Sequence, residues 1–524
     1  MERIYSDDLW DRFVAKIENN YKSKTYPQLD PIFHFPSQKD RIKKILVDET
    51  YSNFKGHSFA PLLKVLKKTP RLRYQEDEAI KDLETKIRPI SFASHFDSYI
   101  YSFYAFALNE LYQESIKTDG FNDVVLAYRS DLNGKCNIQF AKDVFDEVDI
   151  MTKTKGSCSA IALDIKGYFD NINHEILKKE WYGLLQLNHL PYDHFKIFKS
   201  LTQYSYINLD SFLKHFNINL KLIDKKYKNE IKKGKLIDRP YNSILDLIPQ
   251  EFKLNNYNSK LKYLRESNLI TKNREKDKNN VWQIKKKGIP QGSPLSSVLS
   301  NIYLYNFDKL IYKLSLEEDF VYRRYCDDLL IICDTVQVNS LKNYLMNLIY
   351  EKYGLQIQDK KTKVVDFAPF KDKSIRSFNR NYNTLTKEFE ISNGEESSIS
   401  YLQYLGFEYD GKNIRVRASS LSRYFIKMKK KIFRTVAMRY GKNSKSTHIY
   451  KKELYKRYTH FGNQNFISYC KRAASVSYIN SNGIEKFGMA SPAIRKQLAS
   501  HIRIMSEELN KEEAFFRDKK TNNN

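Results

Sequence analysis

The stretch FVYRRYCDDLLIICD, Phe320–Asp334, decides how this chain is read. Two β-rich halves flank the adjacent carboxylates Asp327 and Asp328, so the segment reads as two short strands meeting in a tight hairpin with an acidic tip. Desolvating a carboxylate is costly, and two neighbouring carboxylates raise the cost of ionising both. A divalent cation held by hard oxygen ligands removes that cost, and a third carboxylate should then arrive from elsewhere in the chain. SAIALDIKGYFDNINHEIL supplies one: Ala160–Leu163 form an apolar strand ending at Asp164, and a turn containing Gly167 leads into a helix. Asp164, Asp327 and Asp328 on adjacent strand ends, with a backbone carbonyl such as that of Ile165, suit two Mg²⁺ ions, with Mn²⁺ as a substitute. Such a pair serves in-line phosphoryl transfer. Taken alone, the hairpin reads more readily as an exposed acidic turn beside an unrelated aspartate.

The rest of the chain weighs against that plainer reading. GIPQGSPLSSVLSNIYL, Gly288–Leu304, lies between the two carboxylate elements. Gly288, Gly292 and Pro294 punctuate a loop that lets backbone approach a nucleotide closely, and Leu295–Leu304 continue as an apolar helix. The 89 Lys and Arg against 62 Asp and Glu give a net charge of +27, which suits a polyanionic partner bound through counterion release. With 41% hydrophobic residues in 524, most of the chain should fold, in two to four domains. Five cysteines without CxxC spacing argue against a disulfide framework or a zinc site. The opening MERIYSDDLWDRF is acidic and unlike a signal peptide, and no apolar run is long enough to cross a bilayer. A cytoplasmic, reduced protein without a membrane partner is expected.

Residues 1–85 read as a mixed, mostly helical extension. KIRPISFASHFDSYIYSFYAFALNELY (Lys86–Tyr112) reads as a loop followed by a helix, with Phe96, Ile100, Phe103, Ala107 and Leu111 at helical spacing. Residues 182–280, with DKKYKNEIKKGK and NREKDKNN, look like a polar insertion of solvated faces and loops. Beyond 417 the pattern turns helical and basic. Leu421, Phe425, Met428 and Ile432 form one apolar stripe, and Ser491-Pro492 reads as an N-cap and first helical residue. Ile494, Leu498, Ile502, Met505 and Leu509 continue an apolar face there, and the tail KKTNNN should fray.

In that order and spacing, LDIKGYFDNINH (Leu163–His174), GIPQGSPLSSVLSNIYL and RYCDD (Arg324–Asp328) resemble motifs A, B and C of reverse transcriptases. GLQIQDKKTKVVDF (Gly354–Phe367) resembles motif D, and YLQYLGFEYDGKNIRVR (Tyr401–Arg417) holds a stretch that resembles the primer grip of motif E. The resemblance covers residues 86–417 and implies an α+β right-hand polymerase: fingers and an antiparallel palm sheet with helices on one face, then a helical thumb over 418–524. It implies an RNA-directed DNA polymerase using Mg²⁺, dNTP substrates, an RNA template and a DNA product. Asp164 and Asp327 match the metal ligands and Asp328 the second motif C aspartate. Phe169 matches the steric gate that disfavours a ribose 2′-OH; Gln291 and Gly292 match the loop touching nucleotide and template. Lys361 matches a proton donor to pyrophosphate, and Arg129 in LAYRS an arginine that clamps the triphosphate, with Arg88 in KIRPI as a further phosphate candidate. Cys326 takes the variable place in YxDD.

AYRSDLNGKCNIQFAKDVFDEV (Ala127–Val148) and YKRYTHFGNQNFISYCKRA (Tyr455–Ala473) resemble segments of bacterial defence-associated reverse transcriptases, including the abortive-infection type. That resemblance implies antiphage defence, a dedicated non-coding RNA as template or scaffold, homo-oligomers, and priming on a protein hydroxyl. The 38 tyrosines single out no priming residue. Retron and group II intron enzymes are the alternatives, although NIQFA stands where retrons carry NAxxH. A further alternative is an RNA-binding scaffold with an inactive polymerase centre.

Overall fold

In a computed structural model of the chain, the described residues are 4–19, 21–47, 51–75, 78–220, 222–223, 241–370, 373–383, 386, 388–390, 400–441, 448–480 and 483–521. Eleven strands position the site: β1 Leu62–Gln75, β2 Glu78–Phe92, β3 Cys158–Asp164, β4 Ser205–Asn208, β5 Ile270–Lys272, β6 Arg274–Lys276, β7 Trp282–Ile284, β8 Val321–Tyr325, β9 Asp328–Cys333, β10 Lys363–Pro369 and β11 Ile375–Asn379. Five of them form an antiparallel sheet in the order β11-β10-β3-β9-β8. A second sheet, β2-β1-β4-β5, carries the long β1–β2 hairpin at one edge. The α+β architecture with an antiparallel palm sheet is the expected one.

The palm sheet is covered on both faces, where helices on one face were expected. Ile161, Leu163, Leu329 and Ile331 pack into a core with the helices His95–Thr118, Ser296–Tyr303 and Val338–Tyr353. Ala160, Leu330, Ile332, Val365 and Phe367 enter a second core with the helix Asn137–Lys155, the motif E strands and the C-terminal helices. Burial on both sides is why LLIIC is a continuous apolar run and does not alternate with polar residues.

Other expectations shift. KIRPISF is not a loop: Lys86–Phe92 is the second half of β2, so a boundary at residue 85 falls inside a strand. The helices Asp7–Glu18 and Phe35–Leu46 bury Trp10, Phe13 and Phe35 against Phe103 and Tyr99, in the same core as the palm. Within 182–280 the described residues are more than solvated loops. Ile207, Phe212, Phe216, Ile244, Leu245 and Leu264 close a small core together with Leu29 and Leu63. β4 pairs parallel with β1 and extends the fingers sheet. DKKYKNEIKKGK (224–235) lies outside the described residues. The C-terminal helix Ala418–Tyr440 buries Tyr424, Met428, Ile432 and Val436, a stripe displaced from the Leu421/Phe425 reading. Ser491 does cap the helix Pro492–Leu498, accepting from the Ile494 N–H. The apolar face continues through Met505 and Leu509, although Ala499-Ser500 separates that helix from His501–Thr521. The last three residues of the tail lie outside the described residues.

Candidate active site

The β8–β9 hairpin turns in two residues, Cys326 and Asp327. Cys326 is buried and adopts φ +58, a left-handed conformation uncommon for a residue with a Cβ. The turn points Asp327 and the first β9 residue, Asp328, at the end of β3, where Asp164 pairs with Asp328 in register. The Ile165 N–H donates to the Asp327 carbonyl at 3.0 Å, and the Gln358 N–H to the Asp164 carbonyl at 2.8 Å. Thus the backbone, through three hydrogen-bonded segments, brings Asp164, Asp327 and Asp328 to one end of the palm sheet.

Asp328 responds to that crowding. Asp328 lies open to solvent at the cleft mouth, yet its carboxyl is pushed up to about 7, first by the protein mass around it and then by Asp327 and Asp164. Lys361 and Arg417 pull in the opposite direction. Lys361 Nζ sits on Asp164 Oδ1 at 2.7 Å, with both side chains partly exposed. Among the described residues no three His, Cys, Asp or Glu side chains converge enough to form a cation site by themselves. The donor set is nevertheless all hard oxygen, and its charge is offset here by the Lys361 ammonium and by the tendency of Asp328 to keep a proton. Both are what a divalent cation would displace, so the residues fit one.

Around the carboxylates, the Gly288–Leu295 loop is fixed on two sides. The Ile289 N–H donates to the Phe169 carbonyl at 2.9 Å, and the Gln291 carbonyl accepts from the Ser91 N–H on β2 at 2.6 Å. Phe169, in the short helix Tyr168–Asn171, is half-buried against the core. Gly292 has φ +112, and a Cβ there would lie 2.9 Å from Ile90 Cγ2 and 3.0 Å from the Ser91 carbonyl. Replacing it with alanine is therefore expected to strain the backbone by ~1–3 kcal/mol. It would also push the fingers strand off the loop. Thermal unfolding and primer extension by Gly292→Ala check this, with loss of both stability and synthesis expected.

The two arginines separate. Arg129 is wholly buried and all five of its N–H groups are engaged: Nε and Nη2 with Asp131 at 2.9 and 2.6 Å, Nη2 also with Asn122 Oδ1 at 2.5 Å, and Nη1 with the carbonyls of Asn122 and Val125. No donor remains for a triphosphate, so Arg129 is a structural clamp and its expected phosphate role is withdrawn. Arg88 is half-exposed on β2, two residues from Ile90 and on the same face of the strand as that contact with the motif B loop.

Three residues at the site were not singled out from sequence. Tyr128, half-exposed with φ +61, places its hydroxyl against Cys326 and near Asp327. Arg417, before the helix Ala418–Tyr440, acts on Asp328. Arg324, in β8, is buried beneath the turn and donates to Asp308 at 2.5–2.9 Å, to Asn301 Oδ1 at 3.2 Å and to the Cys326 carbonyl at 3.2 Å. The RY of RYCDD was the visible signal for Arg324; the left-handed turn that brings Tyr128 close has none. Farther out, Arg423, Lys427 and Arg457 with Tyr424 and Phe466 line a cleft of about 410 Å³ in the C-terminal helices.

Residues 197–409 match the family described as reverse transcriptase (RNA-dependent DNA polymerase). The chain carries a reverse transcriptase domain. That family is one of nucleotidyltransferases, and the matched stretch holds Gln291, Gly292, Asp327, Asp328 and Lys361, while Asp164 on β3 precedes it. No curated protein sequence matches the chain. Among solved structures, an apo telomerase from Candida tropicalis truncated from its C-terminal domain is 13% identical, covering 74% of this chain and 61% of its own, with TM-score 0.34. A Candida albicans telomerase in complex with the TWJ fragment of telomeric RNA is 13% identical, covering 71% and 51%, with TM-score 0.34. A sicinivirus 3Dpol RNA-dependent RNA polymerase is 9% identical, covering 92% and 68%, with TM-score 0.36. The chain thus spans about three fifths of the first telomerase, and TM-scores this low do not establish a common fold. Among the described residues no helix is long and apolar enough to cross a membrane.

Proposed function

We propose that the protein is an RNA-directed DNA polymerase in which a 3′-OH attacks the α-phosphate of a dNTP and pyrophosphate leaves. The observation that carries this reading is the register pairing of Asp164 with Asp328, locked to Asp327 through the Ile165 N–H. Asp164, Asp327, Asp328 and the Ile165 carbonyl would hold Mg²⁺, which supplies charge stabilisation for phosphoryl transfer. Around them the chain positions substrate: Gln291 and Gly292 under the base, Arg88 towards the phosphates, and Phe169 against the sugar. Lys361, released from Asp164, would stand within reach of the leaving pyrophosphate as a proton donor. The C-terminal cleft with Arg423, Lys427 and Arg457 supports a thumb that follows phosphates of a template–primer duplex.

The finer reading is antiphage defence, with a dedicated non-coding RNA as template or scaffold, homo-oligomeric assembly and a protein hydroxyl as primer. It is supported by Ala127–Val148 and Tyr455–Ala473, the segments that resemble defence-associated enzymes. The test is primer extension and unprimed synthesis by purified protein with Mg²⁺ and each dNTP or NTP, with co-purifying nucleic acid sequenced. DNA synthesis on RNA supports the reading. RNA bound tightly without synthesis under any condition overturns it in favour of a scaffold. Phe169→Ala should raise ribonucleotide over deoxynucleotide use by roughly 10- to 100-fold, the range in which a pocket discriminates by bulk. Competition of rNTP against dNTP in the same extension assay measures it, and an unchanged ratio would return Phe169 to the core.

A further inference from the structure

Immediately before the Gly288 loop, β6 and β7 form a two-stranded ribbon of their own. Register places Arg274 opposite Ile284 and Lys276 opposite Trp282, so these four side chains share one face, with Glu275 and Gln283 on the other. All four are exposed, Trp282 at 61%. Lys276 Nζ lies 5.5 Å from the centre of the Trp282 ring. Single exposed apolar side chains are ordinary; a tryptophan and an isoleucine alternating with two cations on one open ribbon face are not.

The ribbon is firmly rooted although its face is open. Buried Asn273 donates to the Thr202 carbonyl at 3.1 Å, and its own N–H to that of Tyr204 at 2.9 Å. On the other strand the Lys286 carbonyl accepts from the His174 N–H at 3.0 Å, and Lys287 bridges Asn173. The tip is built by Asp277, whose carboxylate accepts from the Asn279 and Val281 N–H groups at 2.9 Å and from Gln283 Nε2 at 2.6 Å. The Asp277 carboxylate is therefore engaged inside the turn. The basic surface continues inward: Lys285 and Lys64 of β1 both act on Asp170, the residue after Phe169.

We propose that the Arg274–Ile284 ribbon is a platform for single-stranded nucleic acid, stacking a base on Trp282 while Arg274, Lys276 and Lys285 follow the phosphates. A tryptophan ring accepts any base, and flanking cations suit a backbone whose spacing is flexible. A net charge of +27 matches such a polyanion and disfavours a basic partner surface. That the strand is the template entering the cleft rests on the polymerase reading; the binding itself does not.

The test uses the full chain, its Asp327→Ala variant, and labelled, unstructured single-stranded RNA and DNA oligonucleotides. Of the three tryptophans, Trp10 and Trp181 are buried, so quenching of the exposed emission reports on Trp282 directly. Both oligonucleotides should quench that emission, in the Asp327→Ala background as well, which separates this proposal from the catalytic one. Trp282→Ala should weaken single-strand binding about tenfold, the scale of one lost stacked base, with Trp282→Phe restoring most of it. Changing Arg274 and Lys276 together to Gln should lower the salt slope by about 1–2. Tighter RNA than DNA binding marks the strand as RNA template. No quenching, or equal binding by Trp282→Ala, overturns the proposal. So does a Trp282→Ala chain that changes sedimentation mass but not oligonucleotide affinity, since the face would then join copies of the chain.

Discussion

Asp327→Ala is expected to abolish the proposed DNA synthesis and to leave the fold intact. Asp327 is the second residue of a two-residue turn, and the bond that ties it to β3 runs from its backbone carbonyl to the Ile165 N–H, which alanine retains. The side chain contributes charge to a cleft already crowded with charge. Removing it relieves Asp328, whose carboxyl is raised in part by Asp327, so folding stability should hold or rise slightly. Activity goes the other way. Loss of a preorganised charge at the reacting centre costs at least ~10²–10³-fold in rate, and a carboxylate that holds a cation carries more than one hydrogen-bond donor does. Primer extension under Mg²⁺ beside a thermal melt checks both halves. Synthesis within tenfold of wild type would remove Asp327 from the chemistry, and a large drop in melting temperature would make it a structural residue.

The parts legible in the sequence are those set by neighbours along the chain. The β8–β9 hairpin follows from two apolar halves around a polar pair, β3 from Ala160–Leu163 running into Asp164, and the Ser491 cap from its own hydroxyl and the Pro492 that follows. What sequence missed depends on partners far away. β1 finds β4 in parallel across the intervening helices and palm strand, a pairing that nothing local in either strand announces, whereas KIRPISF pairs with its own hairpin neighbour β1. Arg129 was read by the charge it carries; its place is set by Asn122 and Asp131, which close around it before any phosphate can. In the helix Ala418–Tyr440, the stripe was drawn through Leu421 and Phe425 without Tyr424, whose hydroxyl donates to the Tyr458 carbonyl and leaves the ring free to be buried. The lysine-rich insertion hid its small core because Ile207, Phe212, Phe216 and Leu264 are spread thinly among charges.

Beneath the acidic turn, Arg324 and Asp308 form a fully buried ion pair, and breaking it should be among the costliest single changes in the chain. Arg324 Nε and Nη2 grip both oxygens of Asp308, Tyr322 donates to Asp308 Oδ1 at 2.8 Å, and Arg324 Nη1 reaches Asn301 Oδ1 and the Cys326 carbonyl. Burial opposes ionisation of Asp308 while Arg324 favours it, and the guanidinium stays charged beside its partner. Asp308→Ala leaves that cation buried and unpaired, which costs about 3–5 kcal/mol. The damage also reaches the site, because Arg324 holds the carbonyl of the strained Cys326, and its backbone pairs with Val124 and Leu126, two residues before Tyr128. A chain with several cores need not unfold in one step, so hydrogen exchange in β8 and β9 is the proper readout beside the melt. Protection there should fall in Asp308→Ala and in Arg324→Met. The double change Asp308→Leu with Arg324→Met should recover much of the stability, because no buried charge is then left alone, but not the synthesis, because nothing polar then anchors the turn. Recovery of both would make the pair a packing element without influence on the carboxylates; recovery of neither would place its main contribution in the bonds to Asn301 and Cys326.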